Sequence, residues 1–246
     1  MNITIIIPAY FEEKNILLEL EEIKKKVKTL NTIIIVFDLE TDPTIEVVKE
    51  YLEKTKVNNI YLKKNSVGSK RGVINAVKTG IYSAKTKIIV VSMADLSDDI
   101  GKIDQMYQMI EKGFDIVCAS RYMKGGQQIG GPFLKGLFSR LVGLSLFYFG
   151  LPTHDPTNAF KMYKKSVFDG IKIESDGGFE YNLEVIVKAF KKGYKITEIP
   201  AVWRDRTTGK SKFKLLKWLP KYLRWYWYLL FEKLDTENFL TENNKP

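Results

Sequence analysis

Five short strand-like runs, most of them almost unbroken aliphatic residues and the first four each followed by a stretch with helical spacing, constrain this chain more than any other feature. The runs are ITIIIP (3–8), TIIIVF (32–37), NIYLKK (59–64), KIIVVS (87–92) and DIVCAS (115–120). A strand with one wet face alternates apolar and polar residues. A strand that is apolar at nearly every position is covered on both faces. The stretches between them carry apolar residues three and four apart; in the first, Ile16, Leu20, Ile23, Val27 and Leu30 fall on one helical face. Strand–helix alternation of this kind predicts an α/β fold, with a mostly parallel sheet, helices on both sides and right-handed crossovers.

The rhythm breaks after Arg121. KGGQQIGG (124–131) reads as a glycine-rich loop, PFLKGLFSRLVGLSLFYFG (132–150) as a strongly apolar helix and NAFKMY (158–163) as a strand. YNLEVIVKAFKKG (181–193) is an amphipathic helix, and YKITEIPAVW (194–203) a last strand. The single cysteine, Cys118, sits inside an apolar strand and reads as a core residue. One cysteine and one histidine, His154, exclude an internal disulfide, a cysteine-cluster zinc site and any mechanism that needs two histidines. The chain is expected to have no secretory leader and no spanning helix, since the uncharged stretch 141–153 falls short of about 20 residues.

Ligands of open parallel sheets bind beyond the carboxyl ends of the strands. Pro8-Ala9-Tyr10 and Glu12 follow the first strand, and Asp38 and Asp42 the second. Asn65 to Gly68 follow the third, Ala94, Asp95, Asp98 and Asp99 the fourth, and Arg121 the fifth. Acids and an arginine thus gather on one edge, and the net charge of +10 points to a polyanionic partner. Nucleic acid is not expected, because no recognition helix or RNA-binding motif appears.

Eight stretches in order resemble family-2 glycosyltransferases, and among them the polyprenyl-phosphate sugar transferases typified by dolichol-phosphate mannose synthases. They are IIIPAYFEEKNI (5–16), VFDLETDPT (36–44), NSVGSKRGVINAVKTGI (65–81), MADLSDD (93–99), DIVCASRY (115–122), HDPTNAFKMYKKSVFD (154–169), YNLEVIVKA (181–189) and WRDRTTGKSKF (203–213). The resemblance implies a glycosyltransferase-A fold, a Rossmann-like sheet that binds a nucleoside-diphosphate sugar and Mg²⁺ or Mn²⁺. By position it implies donor contacts from Pro8, Ala9, Tyr10, Glu12, Asp38, Asp42, Gly68, Ala94, Asp95, Arg206 and Lys212. Arg121, Arg140 and Ser211 fall to the acceptor phosphate. Asp95, Asp155, Arg121 and Arg206 carry the catalytic roles.

One departure matters. Where the family pattern has two aspartates, at positions 93 and 95, this chain has Met93, which cannot bind a hard cation. Three arrangements remain open: Asp95 with diphosphate and waters, Asp98 or Asp99 as a further ligand, or arginines in place of metal. Asp98 and Asp99 also read as acids in the first turn of a helix capped by Ser97. A phosphate monoester is mostly a dianion at neutral pH, so it attacks without a general base. A sugar hydroxyl would need one, and Asp155 would be the candidate. His154 and Asp155 are neighbours on an extended segment and point to opposite faces.

The segment KFKLLKWLPKYLRWYWYLLFEKL (212–234) places Lys214, Lys217, Lys221 and Arg224 on one helical face, with Trp218, Tyr222, Trp225, Leu229 and Leu230 elsewhere. Pro220 kinks this helix or starts a second. The pattern is that of a helix lying on an anionic membrane surface. The alternative cover for the aromatics is the body of the protein, a membrane-protein partner or a second copy of the chain. The chain is therefore read as a catalytic domain (1–211), basic aromatic interfacial helices (212–234) and a frayed polar tail (235–246). It is expected at the cytoplasmic face of a membrane, moving a sugar with inversion to a polyprenyl phosphate, or in an alternative reading to a glycan hydroxyl. A second alternative is a nucleotide-binding, membrane-associated partner protein without catalysis.

Overall fold

The computed structural model describes residues 2–67, 71–205 and 215–232, and the side chains of 215–218 lie outside that description. Gly68, Arg206, Ser211 and Lys212, expected in the site, lie outside it as well, as does the tail from 233.

The five aliphatic runs become β1 (Ile3–Ala9), β2 (Asn31–Phe37), β3 (Ile60–Lys64), β4 (Ile88–Val91) and β5 (Ile116–Ser120). The helices among them are α1 (Ile16–Lys26), α2 (Pro43–Thr55), α3 (Val73–Ser83) and α4 (Ile103–Glu111), the last entered through a 3₁₀ turn (Ile100–Lys102). Beyond β5 come β6 (Gln127–Ile129), α5 (Phe133–Tyr148), β7 (Lys161–Lys164), α6 (Val167–Gly170), α7 (Tyr181–Lys191), β8 (Ile196–Pro200), β9 (Val202–Arg204) and α8 (Leu215–Phe231).

Seven strands form one sheet in the order β3-β2-β1-β4-β7-β5-β8. All neighbours are parallel except β7, which runs antiparallel between β4 and β5. Every residue of β1 and β5 is buried, as strands covered on both faces require. Two apolar clusters result. One lies under α1 and α4 (Ile5, Ile7, Leu20, Met106), the other under α3 and α7 (Ile6, Val77, Leu183, Val187) and contains Cys118. Gly80 lets α3 press on the sheet, since a Cβ there would stand 2.3 Å from Ile6 Cγ2. The exposed edge β3 carries Lys63 and Lys64, which discourage pairing with another chain.

Three expectations need correction. The first helix stops at Lys26, and Leu30 stands outside it, exposed before β2. The glycine-rich 124–131 segment contains β6, which pairs in parallel with β9 in a separate two-stranded sheet. Glycines masked a three-residue strand whose partner lies more than 70 positions away. Finally, Ser97 caps no helix. The 3₁₀ turn begins after Asp99 without a side-chain cap, while the Ser97 amide donates to Asp95 Oδ1 (3.2 Å).

The tail helix is also placed differently. α8 is a single helix running through Pro220 and packs on α7 and α5. Trp225 and Leu229, four apart, are buried in the cluster that α7 completes. Trp225 Nε1 donates to Ser175 Oγ (3.0 Å), and Lys188 and Arg224 lie over its ring. Lys221 pairs with Asp176 and Arg224 with Glu174, so two of the expected membrane-facing cations are spent within the chain. The outward face is instead Leu223, Trp227 and Phe231, again four apart and all exposed.

Candidate functional site

A cleft of about 580 Å³ opens at the carboxyl ends of β1, β2, β4 and β5, where strand order reverses about β1. Pro8, Ala9, Tyr10 and Glu12 line it from the end of β1, and Asp38 from the end of β2. Asp38 is fixed by Asn65 Nδ2 (2.7 Å) and the Gly72 amide (3.0 Å), which ties the entry of α3 to the second strand. Asp42 does not line the cleft. It caps α2 at Thr44 N (2.9 Å) and also accepts from Phe11 N (2.9 Å). It thereby holds Phe11 in the left-handed region (φ 57°), a position that disfavours branched or bulky side chains. The family pattern has asparagine there, so this chain stores strain beside Tyr10.

After β4, Met93, Asp95, Ser97 and Asp98 line the cleft, whereas Ala94 is buried beneath it. Asp98 turns back over the strand end: its Oδ2 accepts from Met93 N (2.9 Å) and from Ser92 Oγ (3.4 Å). Burial, with Asp95 close by, pushes its carboxyl up to about 7. Asp99 points away and takes the Val202 amide (3.3 Å). Of the acids after β4, then, Asp95 and Asp98 share the cleft and Asp99 braces β9.

Behind them lies a group the sequence reading passed over. Glu19 is buried on the sheet-facing stripe of α1, and its Oε1 accepts from Ser92 Oγ (3.1 Å), while Oε2 is buried without a partner. Its signal was an acid interrupting the Ile16–Leu20–Ile23 face. Burial first, then the charge of Asp98, raises it from 4.5 to about 8. The folded protein therefore keeps a proton that the unfolded chain releases. That stability is fully present below about pH 4.5 and is lost as the pH rises toward 8, at up to about 1.4 kcal/mol per pH unit. In chelator, Glu19→Gln is expected to remove a decline on the order of a few kcal/mol between pH 5 and 8. Urea denaturation of both proteins at the two pH values checks this, and equal declines would contradict the assignment.

Arg121 follows β5 and forms the opposite wall. Asp155 Oδ2 accepts from its Nε (2.7 Å) and backbone N (3.0 Å), and Oδ1 from Nη2 (2.8 Å). Nη2 also reaches Ser139 Oγ (3.1 Å) on α5 and Thr157 Oγ1 (3.3 Å). The Asp155 charge holds the guanidinium above its already high ordinary pKa, against the opposing effect of burial. The Tyr122 ring lies 4.7 Å from Arg121 Cζ. Asp155 itself is fully buried and does not line the cleft. The structure therefore does not bring Asp155, the residue considered as a base, to the cleft wall, and both of its oxygens face Arg121. Below the pair, Lys161 is buried, bonded to the Pro156 and Asn158 carbonyls, and lowered to about 8 by desolvation.

Arg140 is exposed on α5 and absent from the cleft wall, because a 100° helical step separates it from the inward Ser139. In its place the structure brings in two cations that the motifs did not single out: Arg71, just before α3, and Lys135, on the first turn of α5. Past Arg121 the lining becomes apolar, with Phe138 and Val142 from α5, Phe179 before α7, and Leu219 and Tyr222 from α8. The outer side of α5 beside this end exposes Phe133, Leu134, Leu137 and Leu141.

Among the described residues, no group of three or more histidines, cysteines or acids is arranged to hold a metal ion. Asp95 and Asp98 nevertheless offer hard oxygen donors to one cleft. Mg²⁺ is held by one or two carboxylates when phosphate oxygens and waters complete its shell. The donor set fits a hard divalent cation bound together with a diphosphate.

The family model Glycosyl transferase family 2 matches residues 4–171. The dolichol-phosphate mannosyltransferase of Pyrococcus furiosus is 31% identical over 94% of this chain and 64% of its own length. The polyprenol monophosphomannose synthase of Mycolicibacterium smegmatis is 24% identical over 53% of this chain and 54% of its own. This chain thus spans less than two thirds of either relative. Among solved structures, glucosyl-3-phosphoglycerate synthase from Mycobacterium tuberculosis, in complex with Mn²⁺, UDP and phosphoglyceric acid, superposes with a TM-score of 0.67. It is 15% identical and covers 93% of this chain and 77% of that one, a likeness of fold.

Proposed function

The chain belongs to glycosyl transferase family 2, and from that premise we propose that it transfers a sugar with inversion from a nucleoside diphosphate to a polyprenyl phosphate. One observation carries the reading: a single cleft joins a carboxylate end (Asp95, Asp98) to an arginine wall (Arg121) and then to an apolar end under α5 and α8. A nucleoside-diphosphate sugar needs the first, a phosphate nucleophile the second, and an isoprenoid chain the third. The identity to the Pyrococcus furiosus dolichol-phosphate mannosyltransferase supports the acceptor class.

In this account Pro8, Tyr10 and Asp38 hold the nucleoside. Asp95 and Asp98 hold Mg²⁺ or Mn²⁺, which when bound neutralises charge growing on the leaving diphosphate. Arg121, kept in orientation by Asp155, fixes the acceptor phosphate in line with the anomeric carbon. Orientation of this kind replaces a bimolecular encounter with a poised pair. No side chain need remove a proton, because the attacking oxygen is already anionic. Arg206, Ser211 and Lys212 are assigned to the donor and acceptor phosphates by resemblance alone, and Gly68 to the donor.

Residues 1–211 then form the catalytic domain, and 212–234 the basic aromatic interfacial segment. The outer faces of α5 and α8 rest on an anionic membrane surface, with Phe133, Leu134, Leu137, Leu141, Trp227 and Phe231 toward the acyl region and Arg140 toward the headgroups. We place this surface on the cytoplasmic side. No helix among the described residues is long and apolar enough to cross a membrane.

The test is a panel of nucleoside-diphosphate sugars incubated with a polyprenyl phosphate, with and without Mn²⁺ or Mg²⁺. Lipid-linked sugar that depends on the cation is the expected product. Transfer to a glycan hydroxyl alone, or no transfer with any donor, would overturn the reading.

A further inference from the structure

We infer that Glu198 is a positioning residue for Arg121, acting through the 153–155 turn, and that the same link sets where α5 sits over the cleft. Glu198 lies on β8, level with Cys118 of β5 and three residues from Arg121 along that neighbouring strand. Glu198 does not line the cleft. It is bound instead to two consecutive residues of the turn. Oε2 accepts from Thr153 Oγ1 (3.0 Å) and His154 N (2.8 Å), and Oε1 meets His154 Nδ1. Thr153 Oγ1 in turn accepts from Asp155 N (3.1 Å), and Asp155 clamps Arg121 through three bonds. The path from Glu198 to the guanidinium is therefore a continuous series of hydrogen bonds with a single hydroxyl in the middle.

The strand ladder does not need these bonds, since β8 is already paired to β5 through its backbone. What they fix is the turn. An arginine held by one carboxylate is only as well aimed as that carboxylate, and the backbone of Asp155 hangs on Thr153. A half-buried carboxylate facing three donor positions is also hard to replace, because each donor left without it loses its partner.

α5 is registered against the same turn. Phe147 stacks on the His154 ring (centroids 3.7 Å apart, planes 21°). Gly143 passes over the His154 carbonyl so closely that a Cβ would stand 2.0 Å from its oxygen. Ser139, one turn further toward the cleft, bonds Arg121 directly. His154 here joins β8 to α5. An arginine and an apolar helix that must meet the two ends of one lipid phosphate are thus set by one turn.

The kinetic consequence rests on the proposed function; the positioning itself does not, and two readouts separate them. The first is the Arg121 Nε–H signal in ¹⁵N NMR, identified by its loss in Arg121→Lys. In the wild type its bond to Asp155 protects it from solvent exchange. In Glu198→Gln, which keeps the shape but turns one acceptor into a donor, exchange is expected to quicken about tenfold or more, with the amides of β5 and β8 still protected. Unchanged protection of Nε–H would overturn the inference. The second readout is transfer. The KM for a short-chain polyprenyl phosphate is expected to rise about tenfold or more, while nucleoside-diphosphate affinity stays within about twofold. An unchanged acceptor KM, or equal losses on donor and acceptor, would mean that Glu198 only braces the fold. If the wild type transfers nothing, the functional reading fails and the NMR arm still decides. If Glu198→Gln does not fold, Thr153→Val cuts the same path at its middle and is judged by the same two results.

Discussion

Asp95→Asn is expected to lower sugar transfer by about 10² to 10³ at saturating donor while leaving the fold intact. The asparagine keeps the size of the side chain and the acceptor for the Ser97 amide. It removes the charge on the one acid of the family's metal pair that this chain retains. With Met93 beside it, no other carboxylate in the motif stands in its place, and Asp98 is held through Oδ2 by the Met93 amide and Ser92. Loss of charge stabilisation at a leaving diphosphate typically costs about 3 to 4 kcal/mol, and each 1.4 kcal/mol is roughly a factor of ten. Rates with Mn²⁺ and Mg²⁺, beside an unchanged near-ultraviolet spectrum, are the measurement. Activity within a few-fold of wild type would place the leaving-group chemistry on the arginines instead. Catalysis that persists in the wild type and dies in this variant also rules out a non-catalytic nucleotide-binding role.

The second large effect belongs to Arg121. Arg121→Met leaves Asp155 buried with its partner gone. Breaking a buried pair on one side costs about 3 to 5 kcal/mol of stability. Transfer to a phosphate acceptor should fall by about 10² or more, since the guanidinium is the group proposed to hold the nucleophile. Those two losses separate in a double variant. Arg121→Met with Asp155→Leu removes both charges and is expected to regain most of the stability, because an apolar pair tolerates burial. It should regain none of the transfer. Urea midpoints and single-turnover rates on the three proteins decide it. A double variant that recovers activity would show that Arg121 serves the fold and not the substrate.

Much of the frame could be read from residues alone. Apolar residues at most positions of β1 and β2 require burial on both faces, and only a sheet with helices on each side provides it. The gathering of Pro8, Asp38, Asp95 and Arg121 on one edge follows from strand direction. Other features were hidden for physical reasons. Whether an acid seven residues past a strand caps a helix or folds back over the strand end depends on backbone geometry, and Leu96 in the left-handed region (φ 61°) turns the chain so that Asp98 folds back. The tail pattern showed which residues share a face, but not which face meets α7; that depends on Ser175, Glu174 and Asp176, about 50 positions earlier. Glu198 gave no local signal at all, because its partners lie on a turn more than 40 residues away.

The central claim is that the cleft beyond β1 and β4 cradles a pyrophosphate above Asp95. Crystals grown with Mn²⁺ and a nucleoside diphosphate test it most directly through the anomalous signal of manganese. The account predicts one peak bound directly by Asp95, with Asp98 facing it, phosphate oxygens completing the shell, and the base lying by Tyr10 and Asp38. A nucleotide seated elsewhere, or one seated here whose manganese ignores Asp95, would contradict it.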